Sequence, residues 1–259
     1  VSAGEYRATV LDELAEAARE RAAALRQSVT YDELYERALR FEKRDFAGAL
    51  SSGGLSVISE IKRASPSAGD IREVDPASWA SRYENEGAAS LSVLTEPDRF
   101  KGALEDLDAA RGATSLPVIR KDFTVDEIQV AEAATRADAV LLIVALFDVA
   151  SLPRYIALAH ELGLTALVEV HDEREAAMAL EAGARVVGVN NRDLRDFTVD
   201  LGTFERLAPR LPGVTLVAES GVKTSEDAQR LRDAGADAVL VGESAMRDPR
   251  LVFLMSQIQ

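Results

Sequence analysis

Between residues 55 and 241 the chain alternates short apolar runs with longer amphipathic ones. The apolar runs fall at residues 55–61, 90–94, 117–120, 139–143, 166–170, 186–189, 215–218 and 238–241, eight in all. They are rich in Val, Ile, Leu and Ala without strict polar alternation, the pattern of strands buried on both faces. Between them, residues 76–86, 126–136, 152–162, 173–182, 201–208 and 225–234 repeat apolar positions at helical spacing. Eight such units predict an α/β fold, a closed parallel (βα)8 TIM barrel. A doubly wound open sheet is disfavoured, because no Gly-x-Gly-x-x-Gly follows the first strand and even repetition suits closure.

The first fifty residues read differently. Val10, Leu11, Leu14, Ala17, Ala18 and Arg21 recur at helical spacing, and a second helical piece is expected over residues 31–46 behind a Thr30 cap. Nothing in this stretch suggests chemistry. Gly48, Ser51, Ser52, Gly53 and Gly54 mark its end. The expected organisation is a helical extension (1–50) packed on a catalytic barrel (51–259), one structural domain in all. Gly87-Ala88, Gly183-Ala184 and Gly235-Ala236 each close a helix before a strand, a capping signal that recurs because glycine accepts the left-handed conformation.

Composition narrows the function. There is no cysteine and there are two histidines, His160 and His171, so thiolate chemistry and cysteine-rich metal sites are excluded and no metal or cofactor is expected. A net charge of −14 argues against nucleic acid. No apolar run reaches the roughly 18 residues of a membrane span, and no targeting pattern is evident, so a cytoplasmic protein, a monomer, is expected. Five lysines stand against 25 arginines among widely dispersed acids, a composition resembling that of proteins from salt-loving archaea. With lysine so scarce, each one is informative.

The barrel prediction converts strand ends into a site, since the C-terminal ends of barrel strands share one mouth. The first strand ends in Glu60 and Lys62, which share a face by alternation, followed by the loop Ser65-Pro66-Ser67-Ala68-Gly69. The third ends in Arg120, Lys121 and Asp122, the fifth in Glu169, the sixth in Asn190 and Arg192. The seventh ends in Glu219, Ser220 and Gly221 and the eighth in Gly242, Glu243 and Ser244. Two lysines and three carboxylates would face one pocket. The small residues of the last two loops let backbone amides approach a phosphate, predicting a phosphorylated small-molecule substrate.

Seven ordered segments, SEIKRASPSAGDI, SVLTEPDRFKGALEDL, PVIRKDFTVDEIQVAEA, ALVEVHDEREAAMAL, GVNNRDL, AESGV and ADAVLVGESAMR, resemble the indole-3-glycerol phosphate synthase family of tryptophan biosynthesis. The resemblance implies ring closure of 1-(2-carboxyphenylamino)-1-deoxyribulose 5-phosphate with loss of carbon dioxide and water, without metal or organic cofactor. By motif, Lys121 matches the general acid that protonates the ketone, and Glu169 the base or relay of the dehydration. Lys62 matches the lysine near the phosphate and carboxylate. Glu60, Asn190 and Glu219 match groups that position the ribulose hydroxyls and the lysines. Ser65, Gly221, Gly242 and Ser244 match the phosphate cradle, with Ser220 and Arg192 on its margin. Phe100, Phe123 and Leu194 match the walls for the anthranilate ring. His171 is read as structural, its side chain pointing away from Lys121 or into the loop.

One departure from the family pattern stands at Thr135-Arg136-Ala137-Asp138, which lacks the usual glycine before the fourth strand and implies a changed turn at the end opposite the mouth. Two rival readings remain: a phosphoribosylanthranilate isomerase-like barrel, against which the missing cysteine and the presence of Lys62 count, and a non-catalytic sugar-phosphate sensor.

Overall fold

A computed structural model describes residues 9–51, 53–193 and 198–259. Ser52, Leu194 and the first eight residues therefore lie outside the described residues. Eight parallel strands, β1 (Ser56–Ile61), β2 (Ser90–Leu94), β3 (Val118–Lys121), β4 (Ala139–Ile143), β5 (Thr165–Val170), β6 (Val186–Asn190), β7 (Thr215–Glu219) and β8 (Ala238–Val241), close into a barrel. Each strand bonds to the next in sequence, and β8 returns to β1, with Ile58 opposite both Leu240 of β8 and Ser90 of β2. The expected strand positions hold to within a residue at either end.

Alternation decides what fills the barrel. Ile58, Ile119, Leu141, Ile143, Leu167, Val186, Val217 and Leu240 form one apolar cluster distinct from the layer between strands and helices. Phe46 and Leu50 join that cluster from the short helix α3 (Phe46–Ala49), at the end where β1 begins. The same parity, carried further along β1, β3, β5, β6 and β7, selects Glu60, Lys121, Glu169, Asn190 and Glu219. The barrel is packed below and polar above, and that polar layer is the mouth.

Helices α4 (Pro76–Asn85), α5 (Leu104–Gly112), α6 (Glu127–Ala133), α7 (Ser151–Glu161), α8 (Glu173–Glu181), α9 (Gly202–Leu207) and α10 (Ser225–Asp233) follow the first seven strands, and α11 (Glu243–Arg247) and α12 (Arg250–Ser256) follow the eighth. Several begin as capping chemistry requires. Asp126 and Thr224 form reciprocal capping boxes, and Asp75 and Asp172 accept the third amide of their helices.

Ahead of α3 lie two longer helices, α1 (Val10–Ser28) and α2 (Tyr31–Arg40), capped by Thr9 and Thr30. Leu14, Ala15, Ala18 and Ala22 bury one stripe of α1, and Ala22, Leu34 and Ala38 join the main apolar layer. α2 stops at Arg40 instead of running to residue 46. Phe41 is extended, and the Lys43 ammonium, donating to the carbonyls of Ala38, Phe41 and Ala134, fastens the chain to α6 before Asp45 caps α3.

The turn before β4 differs from its counterparts for a visible reason. Gly87, Gly183 and Gly235 have φ of 86°, 81° and 103°, and the residue after each donates five positions back, Ala88 to Tyr83, Ala184 to Ala179 and Ala236 to Leu231. After α6 the chain is one residue shorter: Ala137 donates to Ala133, four positions back at 2.8 Å, and needs no left-handed residue. Among the described residues no helix is long and apolar enough to cross a membrane.

Candidate active site

A cavity of about 690 Å³ opens at the mouth of the barrel. Glu60, Lys62, Ser65, Phe100, Lys121, Phe123, Glu169, Asn190, Arg192, Glu219, Ser220, Gly221, Gly242 and Ser244 all line it, so the structure brings together every described residue that the family motifs single out. Leu194 lies outside the described residues. Arg120 is turned the other way by alternation, pairing with Glu132 at 2.8 Å and Asp122 at 3.2 Å behind the barrel wall.

Lys121 is the electrostatic centre. Its ammonium sits 2.5 Å from Glu219 Oε2 and 3.3 Å from Glu169 Oε2. Burial alone would lower its pKa, but Glu219, Glu169 and Glu60 outweigh burial and hold it above the ordinary lysine range. Lys121 is therefore charged at neutral pH. The two carboxylates respond oppositely. Burial works to raise Glu169, yet Lys121, His171 and the Asn190 amide hold it well below the usual carboxylate range. Burial pushes Glu219 up to about 7, with Lys121 opposing the shift and Glu169 adding to it. Glu219 Oε1 is buried without a hydrogen-bond partner, which is why its charge is costly.

A second pair lies across the cavity, Lys62 Nζ at 2.6 Å from Glu60 Oε1, while Glu60 Oε2 accepts from Ser92 Oγ at 3.4 Å. Gly242 makes room for this pair, since a Cβ there would stand 2.5 Å from Glu60 Oε1 and 2.8 Å from Lys62 Nζ. Asn190 donates to Glu169 Oε1 at 3.1 Å, and its own Oδ1 accepts the Arg192 amide at 3.0 Å.

The loops after β7 and β8 form another wall. Ser220 and Gly221 take successive positive φ values of 65° and 86°, turning the chain sharply over the cavity. A Cβ at Gly221 would approach Val199 Cγ1 to 2.6 Å and Leu201 Cδ2 to 2.9 Å, so only glycine fits. Ser244 Oγ bonds to the Val222 carbonyl at 2.7 Å, tying these loops together, and Gly242 precedes the first turn of α11, whose amides have no partners within the helix. Ser65 closes the wall from a two-strand hairpin that pairs Ala64–Ser65 with Gly69–Asp70, its hydroxyl accepting the Ala68 amide at 3.2 Å. Phe100 and Phe123, with ring centroids 6.2 Å apart, supply an apolar wall.

Four features escaped the sequence reading. The N-terminal helix is not remote from the chemistry: Val10, Leu11 and Leu14 line the cavity, and Arg21 bonds Asp122 at 2.9 Å, next to Lys121. Asn191, buried, accepts the Phe204 amide at 3.0 Å and donates to the Ser220 carbonyl at 3.2 Å, clamping the loops after β6 and β7. Glu96, also buried, accepts the amides of Asp98, Arg99 and Phe100 and so shapes the loop that carries Phe100. His171 does not line the cavity but contacts one of its carboxylates. It has the parity of Glu169, and its Nε2 lies 3.3 Å from Glu169 Oε1. For Asn191 the doubled Asn was a usable signal, whereas Arg21 offered none beyond its helical spacing.

The model of the indole-3-glycerol phosphate synthase family matches residues 11–254. The chain belongs to this family. Indole-3-glycerol phosphate synthase from Streptomyces griseus is 49% identical over 248 residues, covering 93% of this chain and 92% of that one. The Mycolicibacterium vanbaalenii protein of the same name is 50% identical over 249 residues, covering 94% and 92%. These bacterial relatives within the indole-3-glycerol phosphate synthase family lend no support to a salt-loving archaeal source. Among solved structures, thiamine phosphate pyrophosphorylase from Pyrococcus furiosus superposes with a TM-score of 0.59 at 19% identity, covering 80% of this chain and 96% of that one, and shares the fold.

Proposed function

We propose that this member of the family is a carbon-carbon lyase that closes the indole ring of 1-(2-carboxyphenylamino)-1-deoxyribulose 5-phosphate. The observation that carries the reading is a buried, charged Lys121 between Glu169 and Glu219, facing the Glu60–Lys62 pair across one cavity. An ammonium is suited to the first step. As the ring carbon bearing the carboxylate attacks the ketone carbon, Lys121 protonates the oxygen on which negative charge develops. Carbon dioxide then leaves and its electron pair restores the benzene ring. Loss of the former ketone oxygen as water completes the indole, with Glu169, already ionised, taking the proton released.

Glu60 and Asn190 hold Lys62 and Glu169 in place, and Glu219 positions Lys121. Lys62 serves the substrate carboxylate and phosphate, with a second use as an acid in the dehydration. Ser65, Ser220, Gly221, Gly242, Ser244 and Arg192 form the phosphate end, where small side chains leave backbone amides accessible. Phe100 and Phe123 take the aromatic ring. We take the helical extension and the barrel as one structural unit, because its described helix α1 lines the same cavity. We take the protein as cytoplasmic and monomeric, its partner a small molecule and not nucleic acid.

Indole fluorescence appearing when the anilino-deoxyribulose phosphate is added tests the activity. Lys121→Ala should lower kcat by a factor of about 10³ or more, the loss expected when a general acid and its charge go together, with KM changed far less. A variant turning over near the wild-type rate would refute the assigned acid. Tight binding of the substrate by wild-type protein without any product would favour the sensor reading.

A further inference from the structure

His171 stands just beyond the end of β5, two residues from Glu169 and outside the cavity lining. Its ring is held between two carboxylates. Nδ1 lies 3.0 Å from Glu175 Oε2 in the first turn of α8, and Nε2 lies 3.3 Å from Glu169 Oε1, an ion-pair contact whose angle falls short of a hydrogen bond. The same Glu175 oxygen accepts the backbone amide of His171 at 2.7 Å, which fixes the carboxylate against the ring. An ionised carboxylate only accepts, so Nδ1, hydrogen-bonded to Glu175, carries a proton. Nε2, within ion-pair range of Glu169, is where a second proton is favoured by charge.

We propose that His171 is a positioning residue for Glu169: as a buried imidazolium anchored on Glu175, it holds Oε1 from the side opposite Lys121 and keeps Glu169 ionised with Oε2 toward the reacting centre. The assignment rests on the lyase reading. The charged groups facing His171 are Glu169 from its own strand and Glu175 from α8. Glu169 is faced in turn by Lys121 from β3, with Glu219 and Glu60 beyond it, and by the neutral amide of Asn190 from β6. Burial tends to discharge the imidazole, but the two carboxylates raise it to about 10. The role is distinct from that of Lys121, which pairs with the same carboxylate but also faces the substrate. If the cation were Lys121 alone, Glu169 would lose its countercharge whenever that ammonium gave up its proton to the ketone. His171 supplies a charge that does not enter the reaction.

Two measurements test this. With two histidines in the chain, the imidazole resonances are assigned by a single His160→Asn variant. One ring, that of His171, should stay protonated to about pH 10, while burial and Arg185 place His160 below its ordinary value. Titration of His171 near or below 6.5 would overturn the proposal whether or not the protein turns substrate over, so this arm stands apart from the functional reading. In the kinetic arm, His171→Asn removes the charge. The acid limb of kcat should then move up by about one pH unit, while kcat at neutral pH, where Glu169 stays ionised either way, falls by less than about tenfold and KM stays within about twofold because His171 itself does not line the cavity. Glu175→Gln, which leaves the ring in place but weakens its hold, should shift the limb the same way by less, and serves if the first variant does not fold. An unmoved acid limb in an active, folded His171→Asn protein would refute the positioning role while leaving the lyase reading intact. A wild-type protein that makes no indole product would refute the lyase reading, and the titration would still decide the state of the ring.

Discussion

Gly188, in the middle of β6, offers a sharp test of how closely the mouth is built. A Cβ at this position would stand 1.9 Å from Glu219 Oε1, 3.0 Å from Glu219 Cδ and 3.3 Å from Leu167 Cδ1. Backbone strain is not the issue, since Gly188 is not among the residues of positive φ. In Gly188→Ala the Glu219 carboxylate must therefore move by about 1.5 Å to reach ordinary contact near 3.4 Å. That is enough to break its 2.5 Å contact with Lys121. Overpacking of this kind costs about 1–3 kcal/mol, and the reduced freedom of the unfolded chain returns about 0.4–1 kcal/mol. The net loss is on the order of 1–2 kcal/mol, a Tm lower by roughly 2–4 °C for a chain of this size. A misplacement of about 1 Å beside the reacting groups carries a larger kinetic cost, about 10²-fold in kcat. Indole fluorescence gives the rate and a thermal melt gives the Tm. The decisive experiment is a double-mutant cycle on stability: in a Glu219→Ala background the obstructing carboxylate is gone, and Gly188→Ala should cost at least about 1 kcal/mol less than in wild type. Equal cost in both backgrounds would place the clash elsewhere, and an unchanged kcat would show that Glu219 need not be held so closely.

Glu219 also predicts a pH dependence of stability. Its folded pKa, raised from 4.5 to about 7 chiefly by burial, lies above the value in the unfolded chain, so its contribution is full below about 4.5 and is lost as pH rises through 7. Over that window wild type should lose at most about 3 kcal/mol that Glu219→Gln, with no proton to release, does not lose. The Tm of the variant relative to wild type should rise between pH 5 and 8, and parallel curves would refute the assignment. Asn191→Ala strands the buried Phe204 amide and frees the Ser220 carbonyl, which should cost about 2 kcal/mol and raise KM more than it lowers kcat, because the loops at the phosphate end loosen. An unchanged KM would sever Asn191 from that wall.

Much of this architecture was legible because a regular alternation of elements carries it. Continuous apolar runs between segments of helical period located the strands, and their C-terminal ends, which share one mouth, named Glu60, Lys121, Glu169, Asn190 and Glu219 together. What escaped depends on geometry that no local pattern encodes. Arg21 reaches Asp122 across about a hundred residues of sequence, and only the docking of α1 on the mouth brings them together. His171 was read as pointing away from Lys121 or into the loop, since the strand ends at Val170, and it takes Glu175, in the first turn of the next helix, to hold the ring beside Glu169. The end of α6 was legible as a missing glycine, yet its consequence, a four-residue closure in place of a five-residue one, needed the backbone.

The ion pairs of the mouth are better understood as a means of placing charge than as a source of stability. Lys121 is surrounded by more negative charge than it can neutralise, and Glu219 responds by resisting ionisation while Glu169 does not. The difference follows from their neighbours: Glu169 has Asn190 and His171 on its second oxygen, whereas the second oxygen of Glu219 has no partner and lies over Gly188. Two carboxylates on one ammonium thus receive different protonation behaviour from surroundings a few ångströms apart. A base that stays ionised and a neighbour that titrates near neutrality are what a site needs if it is to deliver a proton in one step and collect one in a later step.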